Sequence, residues 1–269
     1  MGIKVQGKRV HYSNGGGTDV GDHAIILIHG AGMDRSVWQL QARALASMGG
    51  RVMAVDLPGH GKSEGDALLS IPDMANWMIE FMDAAGVKTA TLIGHSMGSM
   101  IALNVAAQNP DRVDKLVLLG VAESMPVHED LLKAADDDQN LAAGLITYWG
   151  IAPTSMVGGK AAPGFSVMGA SRVLLQNART GSLHRDLSAC NDAGSMTDTA
   201  SRISCPVLFV LGGLDKMSPV KSGLRLAAAI SGAKTEVIND AGHMMMLESP
   251  NDVFKIIRDF LKTRPGGSD

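Results

Sequence analysis

The sequence predicts an α/β protein with a mostly parallel, eight-stranded sheet and helices on both faces. Short apolar, β-branched runs alternate with helical stretches, which is typical of that layered architecture. The run at 24–28 is apolar throughout, as expected for a parallel strand buried on both faces. The alternation stops between about 121 and 203. We therefore expect a helical cap inserted into the sheet domain.

The predicted core comprises residues 1–120 and 204–269. Strands at 3–5 and 8–12, separated by the turn Gln6-Gly7, predict an opening hairpin. The six later strands are predicted at 24–28, 52–55, 91–93, 116–119, 206–210 and 234–238. The core helices are predicted at 37–48, 72–85, 97–108, 219–231 and 251–262.

The predicted cap, residues 121–203, contains no clear strand and is rich in Ala, Gly, Ser and Met. Residues 130–148 have a helical pattern, 153–164 read as a Pro/Gly-rich loop, and 165–200 predict further helices. The Gly-rich tail at 265–269 is expected to fray.

Composition limits the possible functions of the chain. Its 269 residues are 45% hydrophobic and 19% charged, with a formal net charge of −3. No basic run suggests a nucleic-acid partner, and no apolar run approaches the roughly 20 residues that span a bilayer. The N-terminus lacks the apolar segment of a signal peptide, so we expect a cytoplasmic location. Neither Cys190 nor Cys205 belongs to a cluster with metal-ligand spacing, so no metal site is predicted.

The strongest chemical signal is the Gly-His-Ser-Met-Gly sequence at 94–98, which lies between a predicted strand and a predicted helix. A strand that turns directly into a helix strains the residue at the apex, and only small neighbours leave room for this turn. Gly94 and Gly98 provide that room. The pattern predicts that Ser96 presents its hydroxyl as a nucleophile.

A serine hydroxyl needs a base, and the base needs a group that orients it. His243 follows the strand at 234–238, and Asp215 follows the strand that begins at 206. In a parallel sheet both residues lie at the carboxyl edge, together with Ser96. We predict His243 as the general base and Asp215 as its partner. Asp240 and Glu123 also follow strands and remain alternatives for the carboxylate.

An oxyanion formed by attack on a carbonyl requires preorganised N–H donors. The Met97 N–H, directly after the nucleophile, is the first predicted donor, and the helix dipole favours an anion there. The second is assigned to Ala31, in the His-Gly-Ala-Gly loop that follows the strand at 24–28.

Five segments together resemble the signatures of the α/β-hydrolase superfamily. They are the sequences at 29–32, 56–63, 94–98, 211–215 and 241–243, and they span nearly the whole chain. The resemblance implies the α/β-hydrolase fold with a helical lid, no cofactor and a two-step acyl-enzyme mechanism. Among its members the chain looks most like carboxylesterases and monoacylglycerol-lipase-like enzymes. The expected partner is a small-molecule ester of short to medium acyl length.

Within that superfamily, Ser96 argues against the haloalkane dehalogenases and epoxide hydrolases, which carry aspartate there. His95 differs from the asparagine usual in carbon–carbon bond hydrolases. A carbon–carbon hydrolase, a lactonase, and a small-molecule receptor that retains the triad remain alternatives. Trp149 and Tyr148 are candidates for the pocket wall. The oligomeric state is open, and the cap helices are the expected place for a homodimer contact.

Overall fold

A computed structural model of the chain describes residues 1–157 and 165–263. Eight strands form one sheet in the order β1-β2-β4-β3-β5-β6-β7-β8. They are β1 (Gly2–Val5), β2 (Lys8–Ser13), β3 (His23–Ile28), β4 (Val52–Val55), β5 (Thr89–His95), β6 (Val113–Leu119), β7 (Val207–Gly212) and β8 (Lys234–Ile238). The strands from β4 to β8 in that order pair in parallel, which confirms the predicted fold class.

The opening hairpin supplies the antiparallel part of the sheet. β1 pairs with β2, and β2 pairs antiparallel with β4. The hairpin turns through Gln6 and Gly7, whose φ angles are 49° and 77°. Two successive positive φ angles are typical of the tight turn whose twist matches that of the flanking strands.

The described residues contain twelve α-helices and two short 3-10 helices, Arg35–Trp38 and Pro110–Arg112. The α-helices are α1 (Gln39–Ala46), α2 (Ile71–Ala84), α3 (Met97–Gln108), α4 (Glu129–Asp137), α5 (Gln139–Gly150), α6 (Pro153–Met156), α7 (Val167–Gln176), α8 (Ser182–Asp192), α9 (Thr197–Ala200), α10 (Val220–Ala228), α11 (Met245–Glu248) and α12 (Pro250–Lys262). None of these helices is long and apolar enough to cross a membrane.

The sheet has a hydrophobic cluster on each face, so most of it is buried on both sides. Helices α2, α3 and α10 contribute to one cluster, and α1 and α12 contribute to the other. Helices α4, α5 and α7 add apolar residues to the second cluster, and α8 contributes to both clusters. These four helices belong to the segment between β6 and β7, for which we keep the name cap.

The structure adds detail to the sequence prediction for the cap in two places. The segment 130–148, predicted as helical, consists of the two helices α4 and α5, because Asp138 ends α4 and caps α5. Its carboxylate accepts hydrogen bonds from the N–H groups of Asn140 and Leu141, at 3.0 and 3.1 Å. The predicted loop at 153–164 begins with the short helix α6, started by Pro153 at its first turn. Residues 158–164 of that loop, and the tail predicted to fray, lie outside the described residues.

Smaller differences concern the ends of elements in the core. The helix predicted at 37–48 starts as the 3-10 helix before α1 continues it, and α10 ends three residues before the predicted 231. Strands β5 and β6 are longer than predicted, because their first residues pair with neighbouring strands despite being less apolar. The carboxyl ends of the parallel strands meet at one edge of the sheet, beneath the cap.

Candidate active site

Ser96 occupies a strained turn between β5 and α3. Its backbone angles are φ 53° and ψ −118°, a conformation that a residue with a side chain rarely adopts. A Cβ on Gly94 would lie 2.3 Å from the Gly98 carbonyl oxygen, and one on Gly98 would lie 2.2 Å from the Ile28 carbonyl oxygen. Both glycines are therefore required for the close approach of strand, turn and helix, as the sequence predicted.

His243 and Asp215 lie side by side in the loops that follow β8 and β7. The His243 Nδ1 atom is 2.8 Å from Asp215 Oδ2, and both side chains are buried. Asp215 is held by further donors: the N–H groups of Met217 and Ser218 at 2.8 and 2.9 Å, and the Ser218 hydroxyl at 2.5 Å. The carboxylate therefore has one fixed orientation toward the imidazole.

This environment favours the ionised form of Asp215. Burial acts to raise the pKa of its carboxyl, but His243 and the hydrogen bonds from Ser218 outweigh burial, so the pKa lies below its ordinary value. The two alternative carboxylates are placed differently. Glu123 accepts a hydrogen bond from Arg225 at 2.5 Å, and Asp240 is exposed in the loop after β8.

The His243 loop is tied to the end of cap helix α5 by a buried carboxylate. Glu248 Oε1 accepts the Gly242 N–H at 3.0 Å, and Glu248 Oε2 accepts the Ala152 N–H at 2.9 Å. The His243 N–H itself donates to the Gly150 carbonyl at 2.6 Å. Burial raises the pKa of Glu248, although the bonds from Ala152 and Gly242 act in the opposite direction. The position of the imidazole thus depends on the cap.

His95, the neighbour of Ser96, also supports this loop. Its Nε2 atom is 2.9 Å from the His243 carbonyl oxygen, and the two rings lie 4.8 Å apart between centroids. A carbonyl only accepts, so Nε2 of His95 donates. Burial, and then the neighbouring His243, hold the pKa of His95 well below its ordinary value. His95 therefore acts as a neutral packing neighbour of Ser96 and the His243 loop.

The two predicted oxyanion donors come from different elements. Met97 is the first residue of α3, and the first four N–H groups of a helix have no intrahelical acceptor. Ala31 lies in a turn closed by a bond from the Met33 N–H to the Gly30 carbonyl at 3.2 Å. His29 Nδ1 donates to that same Gly30 carbonyl at 2.9 Å, so this histidine orders its own loop.

Ser96, His243 and Ala31 line one cavity of about 320 Å³ between the core and the cap. The cap contributes mainly apolar side chains, among them Leu131, Ile146, Trp149 and Leu187, and the core adds Met33 and Met217. Of the two aromatic residues proposed for the wall, Trp149 lines the cavity, whereas Tyr148 is 62% exposed. Beyond His243, the described lining also includes the basic side chain of Lys216, the imidazole of His128 and the thiol of Cys190.

Sequence reasoning did not identify Glu248, Ser218 or the buried Asp186 of helix α8. Ser218 lies three residues after Asp215, a spacing that suits a hydroxyl–carboxylate contact and was available as a signal. Asp186 contacts Gly32, and Glu248 contacts Ala152 as well as the nearby Gly242; the contacts with Gly32 and Ala152 are distant along the chain, and no local motif marks either carboxylate. His60 orders its own loop through a bond to the Pro58 carbonyl, and it also contacts Asp186.

Comparisons with known proteins agree with this architecture. The profile of the alpha/beta hydrolase family matches residues 25–256. The chain is 30% identical, over 96% of its length and 67% of the relative, to the dihydrolipoyllysine-residue acetyltransferase component of the acetoin cleaving system of Cupriavidus necator. It is 29% identical to the 2-hydroxy-6-oxononadienedioate/2-hydroxy-6-oxononatrienedioate hydrolase of Burkholderia vietnamiensis, over 94% of this chain and 91% of the relative.

Among solved structures, the enol-lactonase of Burkholderia xenovorans LB400 superimposes with a TM-score of 0.87 at 25% identity. The match covers 98% of this chain and 100% of the enol-lactonase. The sheet order, the strained serine after β5 and the family match define the class of protein. The chain belongs to the alpha/beta hydrolase family and is a hydrolase.

Proposed function

We propose that the chain is a serine hydrolase that cleaves carboxylic esters of short to medium acyl length through an acyl-enzyme. The observation that carries this proposal is the strained Ser96, facing the same apolar cavity as a His243 that is oriented by Asp215. A cavity of about 320 Å³ lies at the small end of the range of ligand pockets, roughly 300–1,000 Å³. Its apolar lining suits an acyl chain better than a charged one.

In the proposed mechanism, His243 takes the proton of the Ser96 hydroxyl as Oγ attacks the ester carbonyl carbon. The N–H groups of Ala31 and Met97 stabilise the resulting oxyanion. His243 then protonates the leaving alcohol, and the tetrahedral intermediate collapses to the acyl-enzyme. Asp215 keeps the proton on His243 Nδ1 and stabilises the imidazolium. Water, activated by His243, then releases the acid and restores Ser96.

The direct test is hydrolysis of p-nitrophenyl esters of increasing acyl length, combined with fluorophosphonate labelling located by mass spectrometry. The wild type should turn over the shorter esters and carry the label on Ser96. Ser96→Ala should lose both properties, whereas Ser47→Ala, at an exposed serine at the end of α1, should retain them. Ester turnover by Ser96→Ala at the wild-type rate would contradict the assignment of the nucleophile.

A cyclic ester is the second candidate substrate. The similarity to an enol-lactonase favours this candidate, since an enol-lactone is an ester closed into a ring and the same acyl-transfer chemistry opens it. Lactones belong in the same assay panel. If the wild type is labelled on Ser96 but hydrolyses neither esters nor lactones, the result would favour carbon–carbon bond hydrolysis or ligand binding as the function of this site. Binding without turnover would appear as ligand-dependent thermal stabilisation.

A further inference from the structure

Asp186 is a fully buried carboxylate of cap helix α8 that reaches two loops of the core. Its Oδ2 atom lies 2.8 Å from the Gly32 nitrogen and 2.8 Å from His60 Nε2. Gly32 directly follows Ala31, the proposed oxyanion donor. We propose that Asp186 is a positioning residue of the oxyanion hole, which it sets by holding the Gly32 N–H. This inference rests on the function proposed above.

The turn around Ala31 is one that such a contact can control. Gly32 has φ 66°, and the turn is closed by the Met33 N–H on the Gly30 carbonyl. Turns of this size differ mainly in the direction of the central peptide, here the one between Ala31 and Gly32. Because Asp186 accepts the N–H of that peptide, it selects its direction. We expect this contact to limit the orientation of the neighbouring N–H of Ala31, a residue that lines the cavity.

Packing reinforces this contact. A Cβ on Gly32 would lie 2.6 Å from Leu183 Cδ1, and Leu183 is a buried residue of α8. The helix therefore lies directly on the oxyanion loop. A shift of the cap at this point changes the loop as well as the pocket wall.

The hydrogen bonds define the protonation of the pair. His60 Nδ1 is 2.9 Å from the Pro58 carbonyl, which only accepts, so Nδ1 carries a proton. With Asp186 as a carboxylate, its Oδ2 atom only accepts, so His60 Nε2 donates to it and the pair is an imidazolium beside a carboxylate. Burial acts to lower the pKa of His60, but Asp186 outweighs burial and raises it.

The other titratable groups near His60 and Asp186 are compatible with a positive charge on His60. The His29 ring lies 4.9 Å from the His60 ring, and burial together with the His60 charge lowers the pKa of His29 to about 4. Asp56, which faces both histidines, is paired with Arg35. Cys190, one turn further along α8, keeps its proton because burial raises the pKa of its thiol.

This arrangement makes asparagine a discriminating substitution at Asp186. In Asp186→Asn, the amide oxygen that faces both partners would have to accept hydrogen bonds from the Gly32 N–H and from His60 Nε2. His60 already donates from Nδ1 to the Pro58 carbonyl, and a neutral imidazole cannot donate from both nitrogens. Replacing His60 by glutamine removes the conflict, because a glutamine N–H can donate to the same asparagine oxygen that accepts the Gly32 N–H. The double variant Asp186→Asn/His60→Gln therefore keeps the acceptor without any buried charge. Asp186→Ala/His60→Gln lacks the acceptor.

The experiment compares these variants by the rate constant for fluorophosphonate labelling of Ser96, which needs no knowledge of the substrate. It also measures kcat and KM on the best p-nitrophenyl ester, and inhibition by a trifluoromethyl ketone that forms an oxyanion. Asp192→Asn, an exposed residue of the same helix, is the matched control. Melting temperatures report the stability of every variant.

We expect Asp186→Asn to lower the labelling rate and kcat roughly 10- to 100-fold, as misplacement of a catalytic group does. KM should change less than about threefold. Affinity for the ketone should fall in parallel with kcat/KM. Asp186→Ala/His60→Gln should likewise have a lower labelling rate and kcat than Asp186→Asn/His60→Gln. This comparison tests the inference even if Asp186→Asn does not fold. Asp192→Asn should remain within about twofold of the wild type.

Two outcomes would overturn the inference. One is a labelling rate in Asp186→Asn within about twofold of the wild type, even with a lower melting temperature, which would make Asp186 a cap anchor only. The other is equal labelling of the two double variants. By contrast, a wild type that is not labelled on Ser96 would refute the proposed function itself, whatever the Asp186 variants do.

Discussion

The substitution Glu248→Gln tests how far the position of the His243 loop depends on its hydrogen bonds to the cap. The Glu248 carboxylate accepts one N–H on each oxygen, from Gly242 of the His243 loop and from Ala152 beside α5. A glutamine of the same shape accepts only one, and its NH₂ group faces the other buried N–H. An N–H left without a buried acceptor costs about 1–3 kcal/mol.

That loss should be measurable as a decrease in melting temperature. For a chain of this size, 1 kcal/mol corresponds to roughly 2–4 °C, so Glu248→Gln should melt about 2–12 °C below the wild type. Because Gly242 precedes His243, we also expect kcat to fall about tenfold, as expected for a displaced catalytic group. Calorimetry and ester kinetics on the same preparation measure both effects.

Glu236→Gln is the matched control, since Glu236 is an exposed residue of strand β8. Glu236→Gln should change the melting temperature by no more than about 1 °C and kcat by no more than about twofold. If Glu248→Gln behaved like this control, the bridge between Gly242 and Ala152 would have no energetic role. A lower melting temperature with unchanged kcat would show that the cap stabilises the loop without positioning His243.

Three further predictions concern the triad, the buried pair and the cap. Asp215→Asn should lower kcat by roughly 10³–10⁴-fold, because the imidazole loses its orienting acceptor. In Glu123→Gln, kcat should remain within about tenfold of the wild-type value. Steady-state kinetics measure both. Equal losses would reassign the carboxylate. The pKa of His60 is raised, so its pair with Asp186 stabilises the fold fully below about pH 6.5, its ordinary pKa, and less as pH rises through the folded-state value. The gap in urea midpoint between the wild type and His60→Gln should therefore narrow toward alkaline pH, and a constant gap would contradict the charged pair. Gly144→Ala should stabilise α5 by about 0.5–1 kcal/mol, because an added Cβ meets nothing within 4 Å; a lower midpoint in chemical denaturation would refute that reasoning.

The elements that the sequence predicted well are those with a local physical cause. The continuously apolar strands could be recognised because both faces of a parallel strand are buried. The turn at Ser96 could be recognised because only glycine fits at 94 and 98, where a Cβ would lie 2.3 and 2.2 Å from backbone oxygens. Such constraints depend on a few neighbouring residues.

The segment 130–148 illustrates what a local helical pattern leaves open. The pattern extends across Asp138, but the side chain of that residue caps the N-terminus of α5, so the segment forms two helices. An aspartate can lie on the polar face of a helix or begin a new one. Periodicity alone does not distinguish the two cases.

By itself, the sequence determined the fold class and the meeting of Ser96, Asp215 and His243 at one sheet edge, because each follows a parallel strand. Only the tertiary structure decided what supports them. Asp186 lies 154 residues from Gly32, and Glu248 lies 96 residues from Ala152. An acidic residue in a helix is usually exposed, and what buries these two is the docking of the cap on the sheet. The bonds from Asp186 to Gly32 and from Glu248 to Ala152 form only in the tertiary structure, because their partners are distant along the chain.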